Sequence, residues 1–307
     1  MADTDAPLPW RRRARRAPGG FLTPAVRRLA SERGIDPATL TGTGFAGRVT
    51  RADVLSAAPG PDERRDEGTA GLAGETVPFN RIRARAAVAL LDSKRTSAHA
   101  LVVTAVDYSA VERARLPARQ RWRDEEGFAL TYLPFVAVAV VAALREMPLL
   151  NALVRDDALD VSGRVNLGFA VDLEHDGLVV PVVRTAEGRS LRGIARAIDD
   201  VARRARARAL TPDDVGGGTF TITNPGALGT WVSVPIINRP QAGILSTDGV
   251  AKRVVARSEG GRDHLEIRPV GNLCLSFDHR ALDGAYAGTF VERVREVLET
   301  RDWSAAL

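Results

Sequence analysis

The stretch Pro59 to Glu75 limits most what this chain can fold into. It is rich in Gly, Pro, Ala and charge and has no apolar period, so it cannot bury a face, and it reads as a flexible linker over residues 58–76. A small module at 21–57 therefore precedes it and a large domain at 77–307 follows. Residues 1–20 are polar, basic and broken by Pro and Gly, which predicts a disordered basic arm. In the small module Thr23 is placed to cap a helix whose first residue is Pro24, and Gly34 suits the left-handed position after its end. A second short helix opens on Thr50-Arg-Ala-Asp53, a capping-box pattern. Two helices of this size are marginal alone.

Between them lies Gly42-Thr-Gly-Phe-Ala-Gly47, with the glycine spacing of a dinucleotide-binding turn. That turn needs a strand before it and a long helix after it. Here a helix precedes and a short helix follows, so the glycines serve a tight loop.

The large domain reads as α+β. Helices are predicted near Arg81 to Thr96 and Leu133 to Leu144, from a Ser190 cap, and after Gly284; strands near Leu101 to Asp107, Val165 to Val171, Leu178 to Val183, Thr219 to Thr223, Ala242 to Ser246 and Gly271 to Phe277. The run Leu133 to Leu144 is too short for the roughly 18 residues of a membrane span. No apolar region follows the N-terminal arginines as a signal peptide requires, which gives a cytoplasmic expectation. The net charge is +5, but acidic and basic residues are interleaved and aromatics make up only 5%, against a nucleic-acid binder. The lone Cys274 sits in an alternating strand run and reads as a packed residue. No ligand spacing suggests zinc, and no metal is expected.

Chemistry concentrates in Phe277-Asp-His-Arg-Ala-Leu-Asp-Gly284, where a buried strand gives way to a helix. A neutral imidazole at His279 can take a proton from a thiol or hydroxyl near neutral pH. Asp278 and Asp283, with Arg280 between them, are placed to fix the ring and its loop.

Three further segments join it: Leu210-Thr-Pro-Asp-Asp-Val-Gly-Gly-Gly-Thr-Phe-Thr-Ile-Thr-Asn-Pro-Gly226, Pro235-Ile-Ile-Asn-Arg-Pro-Gln-Ala-Gly-Ile-Leu245 and Gly177-Leu-Val-Val-Pro-Val182. From about Val77 to Leu307 the chain resembles the dihydrolipoamide acyltransferases, the core subunits of 2-oxoacid dehydrogenase complexes. The small module resembles that family's peripheral subunit-binding domain. The resemblance implies a chloramphenicol acetyltransferase-like α+β sandwich that assembles as a homotrimer, with an acyl-CoA such as acetyl-CoA as co-substrate. It implies that His279 is the general base and that Thr223, from a neighbouring subunit, hydrogen-bonds the oxyanion. Asp283 matches the aspartate that holds the loop and tunes the histidine. Arg27 and Arg48 match arginines that grip an acidic partner, a dihydrolipoamide dehydrogenase or decarboxylase subunit; without a lipoyl arm on this chain the module is expected instead to be a vestige that binds nothing.

Two departures from the family pattern shape the expected acceptor. No lipoyl attachment site is read on this chain, since neither Lys94 nor Lys252 lies in a separate domain, and Ser246-Thr-Asp248 stands where Gly-Thr-Gly is the family pattern. If that turn lines the acceptor channel, the acceptor has changed; if it does not, the change is only a different turn. The chain then resembles stand-alone forms in tetronate natural-product pathways, which acetylate a hydroxyl of a small-molecule acceptor from acetyl-CoA. The alternatives are a dihydrolipoamide acyltransferase core whose lipoyl domain is on a separate chain, and a non-catalytic docking scaffold. The C-terminal Arg301 to Leu307 is expected to pack on the trimer.

Overall fold

The computed structural model describes residues 22–57, Gly74 and 76–307; the expected arm and nearly all of the expected linker lie outside the described residues. The chain divides into two compact units, Met1–Val77 and Pro78–Leu307.

In the first unit, α1 (Pro24–Glu32) and α2 (Arg51–Ser56) bury Val26, Ala30 and Val54 against one another. Thr23 and Thr50 cap them as the sequence predicts. The glycine loop between them is wound on one carboxylate. Asp53 accepts from the Thr43 hydroxyl at 2.6 Å and amide at 3.0 Å, and from the Thr50 amide at 2.7 Å. These donors, the Thr43 hydroxyl foremost, hold the Asp53 carboxyl far below its ordinary range. The loop is thus folded around an internal anion.

In the second unit the elements run α3 (Arg81–Thr96), β1 (His99–Asp107), α4 (Ser109–Glu126), α5 (Leu133–Glu146), β2 (Ala152–Val154), β3 (Leu159–Val161), β4 (Leu167–Phe169), β5 (Val171–Asp172), β6 (Leu178–Val179) and β7 (Val182–Val183). They continue with α6 (Leu191–Arg206), α7 (Pro212–Val215), β8 (Phe220–Thr223), β9 (Gly243–Thr247), β10 (Ala251–Glu259), β11 (Arg262–Asp278) and α8 (Gly284–Thr300). One seven-stranded sheet, ordered β1-β11-β9-β8-β4-β7 with β10 paired to the first half of β11, forms the frame. β8 runs parallel to β4 and β9, and the other pairings are antiparallel. The apolar α5 packs against α8 and α6, and α8 lies on β1. This is the α+β arrangement expected.

The structure differs from or adds to the sequence reading of this unit at five points. α4 was not anticipated: it is strongly polar and carries Pro117 in its interior, which removes a helical N–H and weakens the pattern. Nor was the β10–β11 hairpin, although Leu265 and Ile267 alternate with Glu266 and Arg268 and pair with Ala256 and Val254, and Gly260 and Gly261 turn it at φ 58° and 77°. The apolar stretches 165–171 and 178–183 are each broken in two, with β4 and β7 in the main sheet and β5 and β6 paired apart. The arginines ending α6 are partly ion-paired, Arg204 with Asp200 and Asp214 at 2.9 and 2.7 Å. The C-terminal segment enters its own core: Trp303 is buried, lies edge-on to Phe135 and donates to Leu298 O at 3.2 Å. No helix among the described residues is long and apolar enough to cross a membrane.

Candidate active site

β11 delivers His279 to the surface. Its last nine residues, Val270–Asp278, are buried between β1 and β9, so the strand is pinned on both sides until it emerges at an exposed His279. The His279 amide donates to Ala98 O at 2.8 Å, and its ring lies 5.5 Å from that of Phe277. Beneath it, Asp278 is buried and forked by Arg280, Nε to Oδ1 at 3.0 Å and Nη2 to Oδ2 at 2.7 Å. The same carboxylate accepts from the amides of Ala98 at 3.3 Å and Arg280 at 3.1 Å. Burial alone would raise the Asp278 carboxyl, but the Arg280 and Ser97 hydrogen bonds outweigh it and hold the group below its ordinary range.

The segment Ser97-Ala98-His99 therefore clamps the base loop, a device the sequence reading missed. His99 also ties a second loop down: its Nε2 accepts from the Ile237 amide at 3.1 Å, while Nδ1 lies 3.1 Å from Ser97 O. That pattern fits the neutral tautomer protonated at Nδ1. Asp283 is the N-cap of α8 and accepts from the Tyr286 amide at 2.8 Å. Among the described residues its carboxylate makes no hydrogen bond to the His279 ring.

Thr223 ends β8, half-buried, with a hydroxyl that makes no hydrogen bond among the described residues. Strand register places it far from the histidine. Thr223 pairs with Ser246, and Ser246 pairs with Cys274, so Thr223 lies two strands away from β11 and level with Cys274, five positions before His279. At about 3.3 Å per residue and about 4.8 Å per strand, the two Cα atoms are roughly 20 Å apart within one chain. His279 and Thr223 occupy opposite ends of the sheet, beyond hydrogen-bond reach of one shared substrate carbonyl. Two clefts of about 650 and 510 Å3, the first beside α4 and the second beside α6, are lined by neither residue.

Beyond Thr223 the chain forms a loop over 224–234, and Ser246 and Asp248 lie beneath it. Both are buried, not set along an open channel. Asp248 accepts from Thr230 Oγ1 at 2.6 Å, from Ser233 Oγ at 2.7 Å and amide at 3.3 Å, and from Cys274 Sγ at 3.2 Å. Desolvation opposes its charge, yet the Thr230, Ser233 and Cys274 donors keep its carboxyl below the ordinary range. Cys274 is the packed residue anticipated, its thiol pushed up to about 12 mainly by burial.

The family described as "2-oxoacid dehydrogenases acyltransferase (catalytic domain)" matches residues 72–305, and the "e3 binding domain" matches residues 20–55. The chain belongs to the 2-oxoacid dehydrogenase acyltransferases. It is 39% identical over 94% of its length to the dihydrolipoyllysine-residue acetyltransferase component of the pyruvate dehydrogenase complex of Corynebacterium glutamicum, covering 45% of that protein. It is 37% identical over 91% of its length to the lipoamide acyltransferase component of the branched-chain alpha-keto acid dehydrogenase complex of Bacillus subtilis, covering 71% of it. The chain thus spans about half the length of the first of these relatives and more of the second. Among solved structures, a probable dihydrolipoamide acetyltransferase from Listeria monocytogenes superposes with a TM-score of 0.70 at 36% identity, over 74% of this chain and 95% of that one. The Azotobacter vinelandii dihydrolipoamide acetyltransferase gives 0.69 at 32% identity, over 74% and 91%.

Proposed function

We propose that the protein is the dihydrolipoamide acyltransferase core of a 2-oxoacid dehydrogenase complex, transferring an acyl group between a dihydrolipoamide thiol and coenzyme A. The observation that carries this reading is the pairing in one chain of the acyltransferase catalytic domain with an E3-binding domain. An enzyme acting on a free small molecule has no use for the second. The tetronate reading loses its local support, since Ser246 and Asp248 are buried in the loop cluster.

In this reading the attacking thiol gives its proton to the His279 imidazole as its sulfur bonds to the thioester carbonyl. The Thr223 hydroxyl of a neighbouring copy donates to the oxyanion. Collapse then expels the second thiolate, which takes the proton back from the imidazolium. The roughly 20 Å between His279 and Thr223 within one chain supports an interfacial site in a homotrimer. The catalytic mechanism of the Azotobacter vinelandii enzyme has been investigated through a serine, a histidine and an asparagine, the last two four residues apart. His279 and Asp283 have the same spacing. The first unit docks a dihydrolipoamide dehydrogenase, with the exposed Arg27 and Arg48 meeting acidic groups of that partner.

The test compares acceptors on one enzyme preparation. With acetyl-CoA as donor, kcat/KM for dihydrolipoamide should exceed that for a hydroxymethyl-bearing tetronate by at least about 100-fold, since that ratio measures discrimination. The reverse preference overturns this reading and restores the small-molecule one.

A further inference from the structure

Thr223 acts only if its hydroxyl is held where charge develops, because an oxyanion donor works by being preorganised. The loop that follows it is poorly suited to hold itself. Leu228, Trp231 and Val234 are 85%, 61% and 65% exposed, so the loop sends few apolar side chains into the core of its own chain. What fastens it is polar and converges on one group. The Thr230 hydroxyl and the Ser233 hydroxyl and amide all point at Asp248, which is 2% exposed and has no cationic partner among the described residues. Around it, Gly249 N donates to Thr230 O at 2.8 Å, Asn272 Nδ2 donates to Trp231 O at 2.8 Å, and the Arg253 guanidinium stacks over the Trp231 ring. The loop also sits directly on the Asp248 backbone: a Cβ on Gly226 would lie 2.8 Å from the carbonyl carbon and oxygen of Asp248. Asp248 follows Ser246, the register partner of Thr223, by two residues, so the anchor and the hydroxyl are borne by neighbouring strands.

A buried carboxylate without a counter-cation is costly unless donors satisfy it. This one takes its donors from the loop, from the side chain of Cys274 and, weakly, from Ser246 at 3.5 Å. Breaking the cluster therefore unfastens the loop and strands a charge at once, so the loop is held in one arrangement. We propose that Asp248 is a positioning residue for acyl transfer: it fixes the 224–234 loop and thereby the place of the Thr223 hydroxyl. This rests on the acyl-transfer reading above and adds to it a residue that touches neither substrate nor base.

A double-mutant cycle on the full chain separates positioning from mere support. Asp248→Ala should lower kcat about tenfold while KM for acetyl-CoA stays within about twofold, the signature of an interaction made in the transition state. Asp248→Asn, which keeps the shape and one acceptor oxygen, should recover part of the loss. In a Thr223→Val background the same Asp248→Ala change should cost less than about twofold, because the hydroxyl it positions is already gone. Equal losses in both backgrounds overturn the proposal, as does a loss confined to KM. If Asp248→Ala does not fold, Asp248→Asn runs the same cycle with the same criterion. A Thr223→Val enzyme with wild-type turnover instead overturns the acyl-transfer reading itself, so the two failures are distinct.

Discussion

The two ends of the central sheet solve the same problem with different chemistry. At the His279 end the anchor is an ion pair: Asp278 is buried, Arg280 forks it, and Ala98, just before β1, supplies its amide and carbonyl. At the Thr223 end the anchor is a carboxylate with only hydroxyl, amide and thiol donors, most of them from a loop that exposes apolar side chains. The first arrangement is rigid by continuity, since His279 is the next residue of a strand paired on both sides. The second depends on a loop fastened at a few points. On the mechanism proposed above, a base must hold its ring against a proton transfer, and a ladder suits that; the proposed oxyanion donor sits beside a loop whose exposed apolar residues are available to a neighbouring copy.

The sharpest way to break this comparison is His279→Ala. It removes the base without touching the Asp278 anchor and should lower kcat about 10³-fold, within the usual range for a positioned general base, while the thermal midpoint stays within about 2 °C of wild type. Near-wild-type turnover would remove the His279 end from the chemistry. Next in size is Arg280→Ala, which leaves Asp278 buried without its counter-ion. Because Arg280 is 40% exposed, the loss is discounted for solvent from the full value of a buried pair to about 1–2 kcal/mol. Its pH dependence carries a sign. In the wild type the Asp278 carboxyl is lowered, so its contribution is present above the unfolded carboxylate range and is lost as pH falls through the folded value. In Arg280→Ala burial dominates and the carboxyl rises, so the variant is penalised most near neutral pH and the gap between the two should narrow toward pH 4, the ordinary carboxylate range. A gap independent of pH, measured by denaturant unfolding, would show that the ion pair is not the anchor.

The His279 end was legible in the sequence and the Thr223 end only half so, for physical reasons. The alternation Asn272 to Phe277 announces a strand, and the Asp-His-Arg run after it places a charge pair around a base within three residues. The capping box at Thr50, the Ser190 cap and the helix over 81–96 are likewise local patterns. By contrast, Asp248 meets Thr230 and Ser233 across 18 and 15 residues of chain, and His99 meets Ile237 across 138. Nothing in the sequence between such partners has a period that could report the contact. Ser246 and Asp248 are therefore legible in the sequence as departures from a glycine turn, but their buried contacts with the loop are not. The separation of His279 from Thr223 was implied by the family resemblance, and the strand register supplies its independent physical basis.

The smallest effect tests which end Asp283 serves. Its carboxylate caps α8 through the Tyr286 amide at 2.8 Å, and a cap of this kind contributes about 1 kcal/mol. Asparagine caps as well as aspartate but carries no charge. If Asp283 acts through the helix terminus alone, Asp283→Asn should match wild type in stability and in kcat, and Asp283→Ala should lose about 1 kcal/mol by denaturant unfolding. If its charge instead stabilises the imidazolium, Asp283→Asn should lower kcat and shift the acid limb of the kcat/KM profile to lower pH, because removing a nearby carboxylate disfavours the protonated ring. The geometry supports the first outcome, since no hydrogen bond joins this carboxylate to the His279 ring among the described residues. A shifted acid limb in Asp283→Asn would give the His279 end a second anion beyond Asp278 and make the two ends of the sheet less alike still.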